Sequence, residues 1–155
     1  MEKLQAKYKK EVIPQMMKEV GFPNPMAVPR IQKVVLNTSF GREVVGKTSG
    51  EREKLNNLVL QDLSLIAGQM PNLTKSKKSI AGFKLREGLE IGARVTLRKQ
   101  KMWDFLERLI YLSLPRSRDF KGIDAKSIDK SGNLTIGFRE HISFPEIFAE
   151  KEKTI

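Results

Sequence analysis

The stretch IGARVTLR, residues 91–98, alternates without a break. Ile91, Ala93, Val95 and Leu97 fall on one side of an extended chain, and Arg94, Thr96 and Arg98 on the other. A strand patterned this way needs a sheet with a greasy face turned to a core and a cationic face turned elsewhere. The remaining elements have to cover the first face. Leu4, Tyr8, Val12, Met16 and Val20 recur at every fourth position with Ile13 and Met17 beside them, which predicts an amphipathic helix that Pro14 should kink or restart. GFPNPMAVP (21–29) crowds three prolines and a glycine into a rigid connector. RIQKVVLN (30–37) predicts a strand buried at least partly on both faces, and 38–50 reads as a loop with Gly41, Gly46 and Gly50.

A second helix follows, with Leu55, Leu58, Val59, Asp62, Leu63 and Ile66 marking its mostly apolar face. Thr48 and Glu51 have the spacing of a capping box, and Gly68 suits the left-handed position past its end. Met102, Phe105, Leu106, Leu109, Ile110 and Ser113 define a third helix that Pro115 should terminate. Residues 116–122 read as a loop. SIDKSGNLTIGFR (127–139) predicts a hairpin around Lys130 to Gly132, its second strand alternating Leu134, Ile136 and Phe138 against Thr135 and Arg139. FPEI (144–147) is a turn and FAEKEKTI (148–155) a charged tail. Helices mixed with mostly antiparallel strands, without regular βαβ alternation, predict an α+β fold of one domain over 1–155, with an antiparallel sheet and helices packed on one face. The other face is then free to bind.

The chain of 155 residues carries 29 Lys and Arg against 18 Asp and Glu, a net charge of +11 and a pI near 10.0. That excess favours a polyanion, nucleic acid before an anionic membrane surface. The charge is concentrated. Between Lys75 and Lys101 stand Lys75, Lys77, Lys78, Lys84, Arg86, Arg94, Arg98, Lys99 and Lys101, nine bases against Glu87 and Glu90, so +7 of the +11. Like charges repel, and mixed signs would serve solubility equally well, so such a one-sided field makes most sense opposite phosphates. Two contact modes are available: a flexible lysine finger, and a flat platform of Arg94, Thr96 and Arg98 suited to a folded RNA's minor groove and sugar edges. Asn37 and Gln69 add side chains that both donate and accept.

Catalysis finds little support. There is no cysteine, which removes disulfides, thiolate zinc sites and cysteine nucleophiles together and fits a reducing, cytosolic compartment. His141 has no second histidine or cysteine with which to share a metal. Glu87 with Glu90, or Asp124 with Asp129, are better explained as solvated charges than as an acid/base pair. Ser76 and Ser79 lie among lysines, but a lysine base must be desolvated, and these sit in a polar loop. Gly41, Gly82, Gly88 and Gly92 never assemble into a phosphate-cradling motif, and no cofactor pattern appears. Trp103, Tyr111 and Phe105 read as core packing. Phe83 could stack on a nucleotide or anchor its loop. No apolar run approaches the ~20 residues that span a bilayer, and the N-terminus resembles neither a signal nor a transit peptide.

The ordered segments YKKEVIPQMMKEVGF, VPRIQKVVLN, LSLIAGQMPNLTKSKKSIAGFKLREG, IGARVTLR, MWDFLERLIYLSLPRSRDFKG and GNLTIGFREHISFPEI resemble the bacterial ribosomal large-subunit protein five family, which binds 5S rRNA. The resemblance runs from about residue 4 to about 147. It implies a non-enzymatic scaffold in the central protuberance of the cytoplasmic large subunit, in contact with 5S rRNA, 23S rRNA, neighbouring large-subunit proteins and a small-subunit head protein, and so part of an intersubunit bridge. Carried over motif by motif, it puts 5S rRNA contacts on Asn37, Gln69 and Thr96, beside Arg94 and Arg98. It puts peptidyl-site tRNA contacts on the loop from Asn72 to Glu87, through Lys75, Lys77, Lys78, Lys84 and Arg86. The region REVVGKTSGEREK is longer here than is usual in the family, and the family's final strand and terminal helix are expected to be absent. A free-standing RNA chaperone on the same fold is the alternative. An RNA-modifying enzyme would need a cofactor pocket or an acid/base cluster.

Overall fold

The structure, a computed structural model, describes residues 3–118, 120–138 and 140–147. Arg139 of the expected hairpin and the tail 148–155 lie outside the described residues. The contacts within the chain divide it into two compact units, Met1–Leu106 and Glu107–Ile155.

The first unit is an α+β layer. Its antiparallel sheet has the order β1-β3-β2, with β1 at Val34–Ser39, β2 at Asn72–Lys75 and β3 at Glu90–Leu97. β3 contains the alternating stretch, and it takes the centre, paired on both edges. Ala93, Val95 and Leu97 are buried while Arg94 is exposed, as the period of two requires. Gly92 fixes how closely the three strands approach. A Cβ built there would stand 2.6 Å from the Thr38 carbonyl oxygen of β1 and 2.8 Å from Thr74 Oγ1 of β2.

Three boundaries differ from the sequence reading. β1 starts at Val34 because its partner runs out: Val34 pairs with Leu97, where β3 ends, and Lys99 at φ 51° turns the chain into a helix. Residues 30–33 thus have no strand to pair with. β1 is not buried on both faces either, since Val34, Leu36 and Thr38 are half-buried while Val35, Asn37 and Ser39 are exposed. The expected loop from 38 holds the end of β1 and a short helix, α3 (Gly41–Val44), whose Val44 is buried. β2 is an addition to the expected elements. Its four residues NLTK lie inside the basic segment, and their pairing with β3 is visible only once β3 is in place.

Helix α4 (Ser49–Ala67) packs on β3 and β2. Its start is the expected capping box: the Thr48 N–H and hydroxyl both donate to Glu51 Oε2, each at 2.8 Å. Its end is Gly68 at φ 63°, and Lys101 Nζ donates to the Gly68 carbonyl at 3.2 Å. Leu63, Ile66 and Ala67 are buried, joined by Asn56, whereas Leu58 is 57% exposed and lies off the packed face. They share the core with Phe40, Val44, Met102 and Phe105.

Both expected proline effects take another form. α1 (Leu4–Lys7) and α2 (Ile13–Val20) are joined without a break by a π-helical turn at Tyr8–Val12, two residues short of Pro14. α5 (Lys99–Arg108) runs through a π-helical turn at Leu109–Ser113 into α6 (Leu114–Arg116), so Pro115 lies inside the helical run rather than ending it. In a regular helix each proline ring would press on the carbonyl four residues back, Lys10 or Tyr111. Both carbonyls lie in the widened turns. The added residue also rotates the stripe, which leaves Ile110 43% exposed. The first run is tied to its unit by Tyr8, which donates to the Pro29 carbonyl at 2.6 Å and meets the Trp103 ring at a centroid distance of 5.4 Å.

In the second unit the predicted turn forms, but among the described residues the flanking segments form no extended ladder. Asp129 accepts from the Ser131 and Asn133 N–H groups, both at 2.8 Å, and from Asn133 Nδ2 at 2.9 Å, with Gly132 at φ 77°. Among the described residues the flanking segments share one isolated bridge, Ile128 to Leu134. Two strands alone are marginal in water. Phe144, Ile147 and Leu109 are buried, Phe138 packs on Phe144 with ring centroids 5.4 Å apart, and Arg108 pairs with Glu146.

Two tests follow from this geometry. Gly92→Ala forces two strand edges apart and should cost about 1–3 kcal/mol in urea unfolding, as overpacking does. The bonds from the Thr48 N–H and then its hydroxyl, with Lys47 nearby, hold the Glu51 carboxyl below the usual carboxylate range. Because the folded value is depressed, its contribution is present above the ordinary range and is lost as the pH falls through the folded value. Glu51→Gln should therefore be less stable than the wild type at neutral pH, and the gap should close on acidification.

Candidate nucleic-acid interface

Cross-strand partners in an antiparallel sheet share a face. On the face away from the core, Asn37 of β1 pairs with Arg94 of β3, which pairs in turn with Asn72 of β2. These three exposed side chains form one row across the sheet. The next row toward the end of β3 sets Val35 against Thr96, and the row on the other side sets Ser39 and Thr74 on either side of Gly92. The platform is thus flat at Gly92, charged at Arg94 and lined with amides and hydroxyls. Among the described residues, the side chains of Asn37, Asn72, Arg94 and Thr96 spend none of their polar groups on hydrogen bonds inside the protein.

The structure brings together Asn37, Arg94 and Thr96 of the residues singled out in the sequence. Gln69 lies elsewhere, half-buried in the connection between α4 and β2. Arg98 is exposed one residue beyond β3, and its carbonyl accepts from the Met102 N–H at the start of α5. The sequence reading put Asn72 and Thr74 in the tRNA-facing loop rather than on the sheet, and it did not single out Ser39. The apolar Leu73 between the polar Asn72 and Thr74 was the available signal, and four residues are too few to show a period of two.

The basic segment is a built structure. Beyond β2 the chain forms a finger from Ser76 to Gly88, closed at its base by Ser76 N–H to Leu89 O at 2.8 Å and Gly88 N–H to Ser76 O at 3.0 Å. Ser76 is 8% exposed and its hydroxyl donates to the Lys78 carbonyl at 2.8 Å, a structural role. Ser79 Oγ accepts from the Glu87 N–H at 2.9 Å, and Ile80 and Leu85 exchange backbone bonds across the finger. The tip is a single turn at Ala81–Phe83 followed by Lys84 at φ 52°. Phe83 is 69% exposed there, so it does not anchor the loop. Lys75, Lys77, Lys78, Lys84 and Arg86 are all exposed.

Among the described residues, the acids weighed as acid/base candidates and found bonded have structural partners. Glu90, one of the two acids of the basic region, accepts from Asn56 Nδ2 and lies 4.0 Å from Lys75 Nζ. Asp129, bonded by the Asn133 side chain and then by the Asn133 and Ser131 N–H groups, has its carboxyl lowered below the usual range by a turn, not by a reactive partner. His141 is exposed, and among the described residues no three metal-ligating side chains cluster. Among the same residues no helix is long and apolar enough to cross a membrane.

Comparison with known proteins adds an independent line. Residues 24–86 match a family model described as ribosomal protein L5, and residues 90–155 match the model of that ribosomal family's C-terminus. The large ribosomal subunit protein uL5 of Dichelobacter nodosus is 51% identical over 155 residues, all of this chain and 83% of the relative. Its counterpart in Desulforapulum autotrophicum is 48% identical over the same shares. That of Clostridium botulinum is 46% identical over 97% of this chain and 81% of the relative.

The finger's order depends on Ser76. Ser76→Ala removes a buried hydrogen bond worth roughly 1 kcal/mol. Hydrogen exchange at Ile80, Leu85 and Gly88 should quicken several-fold, about the factor that free energy allows, while the β3 amides stay protected.

Proposed function

The chain belongs to the ribosomal protein L5 family, and from that premise we propose that its open sheet face binds 5S rRNA in the central protuberance of the large ribosomal subunit. The role is structural and not enzymatic, as the family is, and the subunit is cytoplasmic in bacteria. The observation that carries the reading is the row Asn37, Arg94, Asn72, with Thr96 beside it, on a face that the helices leave uncovered. Arg94 supplies a phosphate partner. The amides and the hydroxyl supply donors and acceptors for 2′-hydroxyls and base edges, the chemistry by which proteins read RNA. Arg98, exposed just beyond β3, extends the same contact, and Gln69, off the sheet rows in the α4–β2 connection, would join it only from the side.

The finger carries the second part of the proposal. Its exposed cations, Lys75, Lys77, Lys78, Lys84 and Arg86, suit the backbone of a separate RNA, the peptidyl-site tRNA, and a folded finger presents them with less ordering cost than a floppy loop would. Contacts with 23S rRNA, neighbouring large-subunit proteins and a small-subunit head protein complete the role and make the chain part of an intersubunit bridge.

Equilibrium binding to 5S rRNA over a salt series, with excess tRNA as competitor, tests this. Tight binding that survives tRNA is expected, and the log-log salt slope counts neutralised phosphates at roughly −0.7 to −0.9 each. Thr96→Val and Asn37→Ala should each cost ~1–3 kcal/mol of 5S affinity by leaving an RNA group unpaired. Replacing Lys75, Lys77 and Lys78 together by alanine should leave that affinity nearly unchanged. Collapse in the lysine variant with survival of Thr96→Val would reverse the two surfaces, and weak binding abolished by tRNA would leave a non-specific RNA chaperone.

A further inference from the structure

A cleft of about 530 Å³ lies between the α3–α4 connection, the start of α4 and the far side of the finger. Lys47, Arg52, Lys84 and Arg86 line it, and no carboxylate does. The four cations come from three separate segments, so a helix periodicity or a run of like residues does not explain their convergence. One side chain and one backbone position among them are constrained. Arg52 Nε donates to the Thr48 carbonyl at 3.4 Å, which keeps the guanidinium at the positive end of α4. Lys84 sits at φ 52°, a backbone conformation that an L residue adopts only at a cost. The floor is apolar, made by Val44, Val45 and Leu89, of which Val44 is buried. Lys75, Lys77 and Lys78 are not part of it.

We propose that this cleft binds one 5′-phosphorylated ribonucleotide unit, its phosphate among Lys47, Arg52, Lys84 and Arg86 and its sugar or base against Val45 and Leu89. Four converging cations with no carboxylate in the lining, Glu51 beside Lys47 being held by Thr48 outside it, call for a compact anion, and an apolar floor beside them calls for a ligand with an uncharged ring. The choice of a ribonucleotide rests on the reading of the chain as an RNA-binding protein. The site itself is separate from the sheet face, since Asn37, Arg94 and Thr96 do not line it. It also divides the finger's cations into two groups, with Lys84 and Arg86 turned to the cleft.

The test is a titration of the ¹⁵N-labelled full chain with adenosine 5′-monophosphate, adenosine, inorganic phosphate and a short oligoadenylate, followed by amide shifts. Saturable shifts confined to 45–47 and 84–89 are expected with the monophosphate or the oligonucleotide, and none with adenosine. Whichever of the two binds more tightly identifies the source as free nucleotide or RNA chain. Lys47→Ala with Arg86→Ala should weaken binding about tenfold, whereas Lys9→Ala with Lys18→Ala, the same loss of charge elsewhere, should change it less than about twofold. Shifts spread evenly over the exposed lysines, or equal weakening by the two pairs, would overturn the site. 5S rRNA binding measured on the same protein separates the two proposals. Localised nucleotide shifts without 5S binding sink the sheet-face reading alone, and 5S binding without localised shifts sinks the cleft alone.

Discussion

The antiparallel pairing of β3 with both of its neighbours is the constraint on which the rest of the first unit depends. It sets Asn37, Arg94 and Asn72 in a row, and because side chains alternate it commits Ala93, Val95 and Leu97 to the core at the same time. A slip of one residue would bury Arg94 and expose Val95, so the core and the open polar face enforce a single register. Gly92 sharpens that choice, since the approach of the Thr38 carbonyl and the Thr74 hydroxyl leaves no room for any other residue at that row.

Much of this was legible in the sequence, and the parts that were not share a cause. β3 could be read because eight alternating residues carry both faces, and α4 because Thr48, Glu51 and Gly68 mark its ends through local hydrogen bonds. β2 and the start of β1 could not, because a strand's limits are set by its partner. Ile31 has the β-branched side chain of a strand residue, yet β3 has already turned away opposite it. NLTK has little propensity of its own, yet it pairs. The same holds for 127–138, where Asp129 organises the turn by local bonds but, among the described residues, the segments beside it share a single bridge.

The candidate site divides in the same way. Arg94 and Thr96 follow from alternation, and Asn37 and Gln69 came into view as polar groups near the cationic strand. Asn72 and Thr74 belong to the platform only through β2, and the convergence of Lys47 and Arg52 with Lys84 and Arg86 joins positions far apart in the chain that no spacing rule connects. The charge run predicted that anions would be met here, and the fold decides on which of several surfaces.

The two π-helical turns change how a proline is to be read in such a chain. In each run the turn ends two residues before the ring, and the helix continues past it. Each turn adds one residue to its coil, and one residue is about 100° of rotation around a helix axis. Pro14 and Pro115 therefore act as phase marks: apolar positions counted from one side of the ring fall out of step with those counted from the other. A single-residue insertion or deletion within Tyr8–Val12 or Leu109–Ser113 would reset that phase and turn a whole helical face.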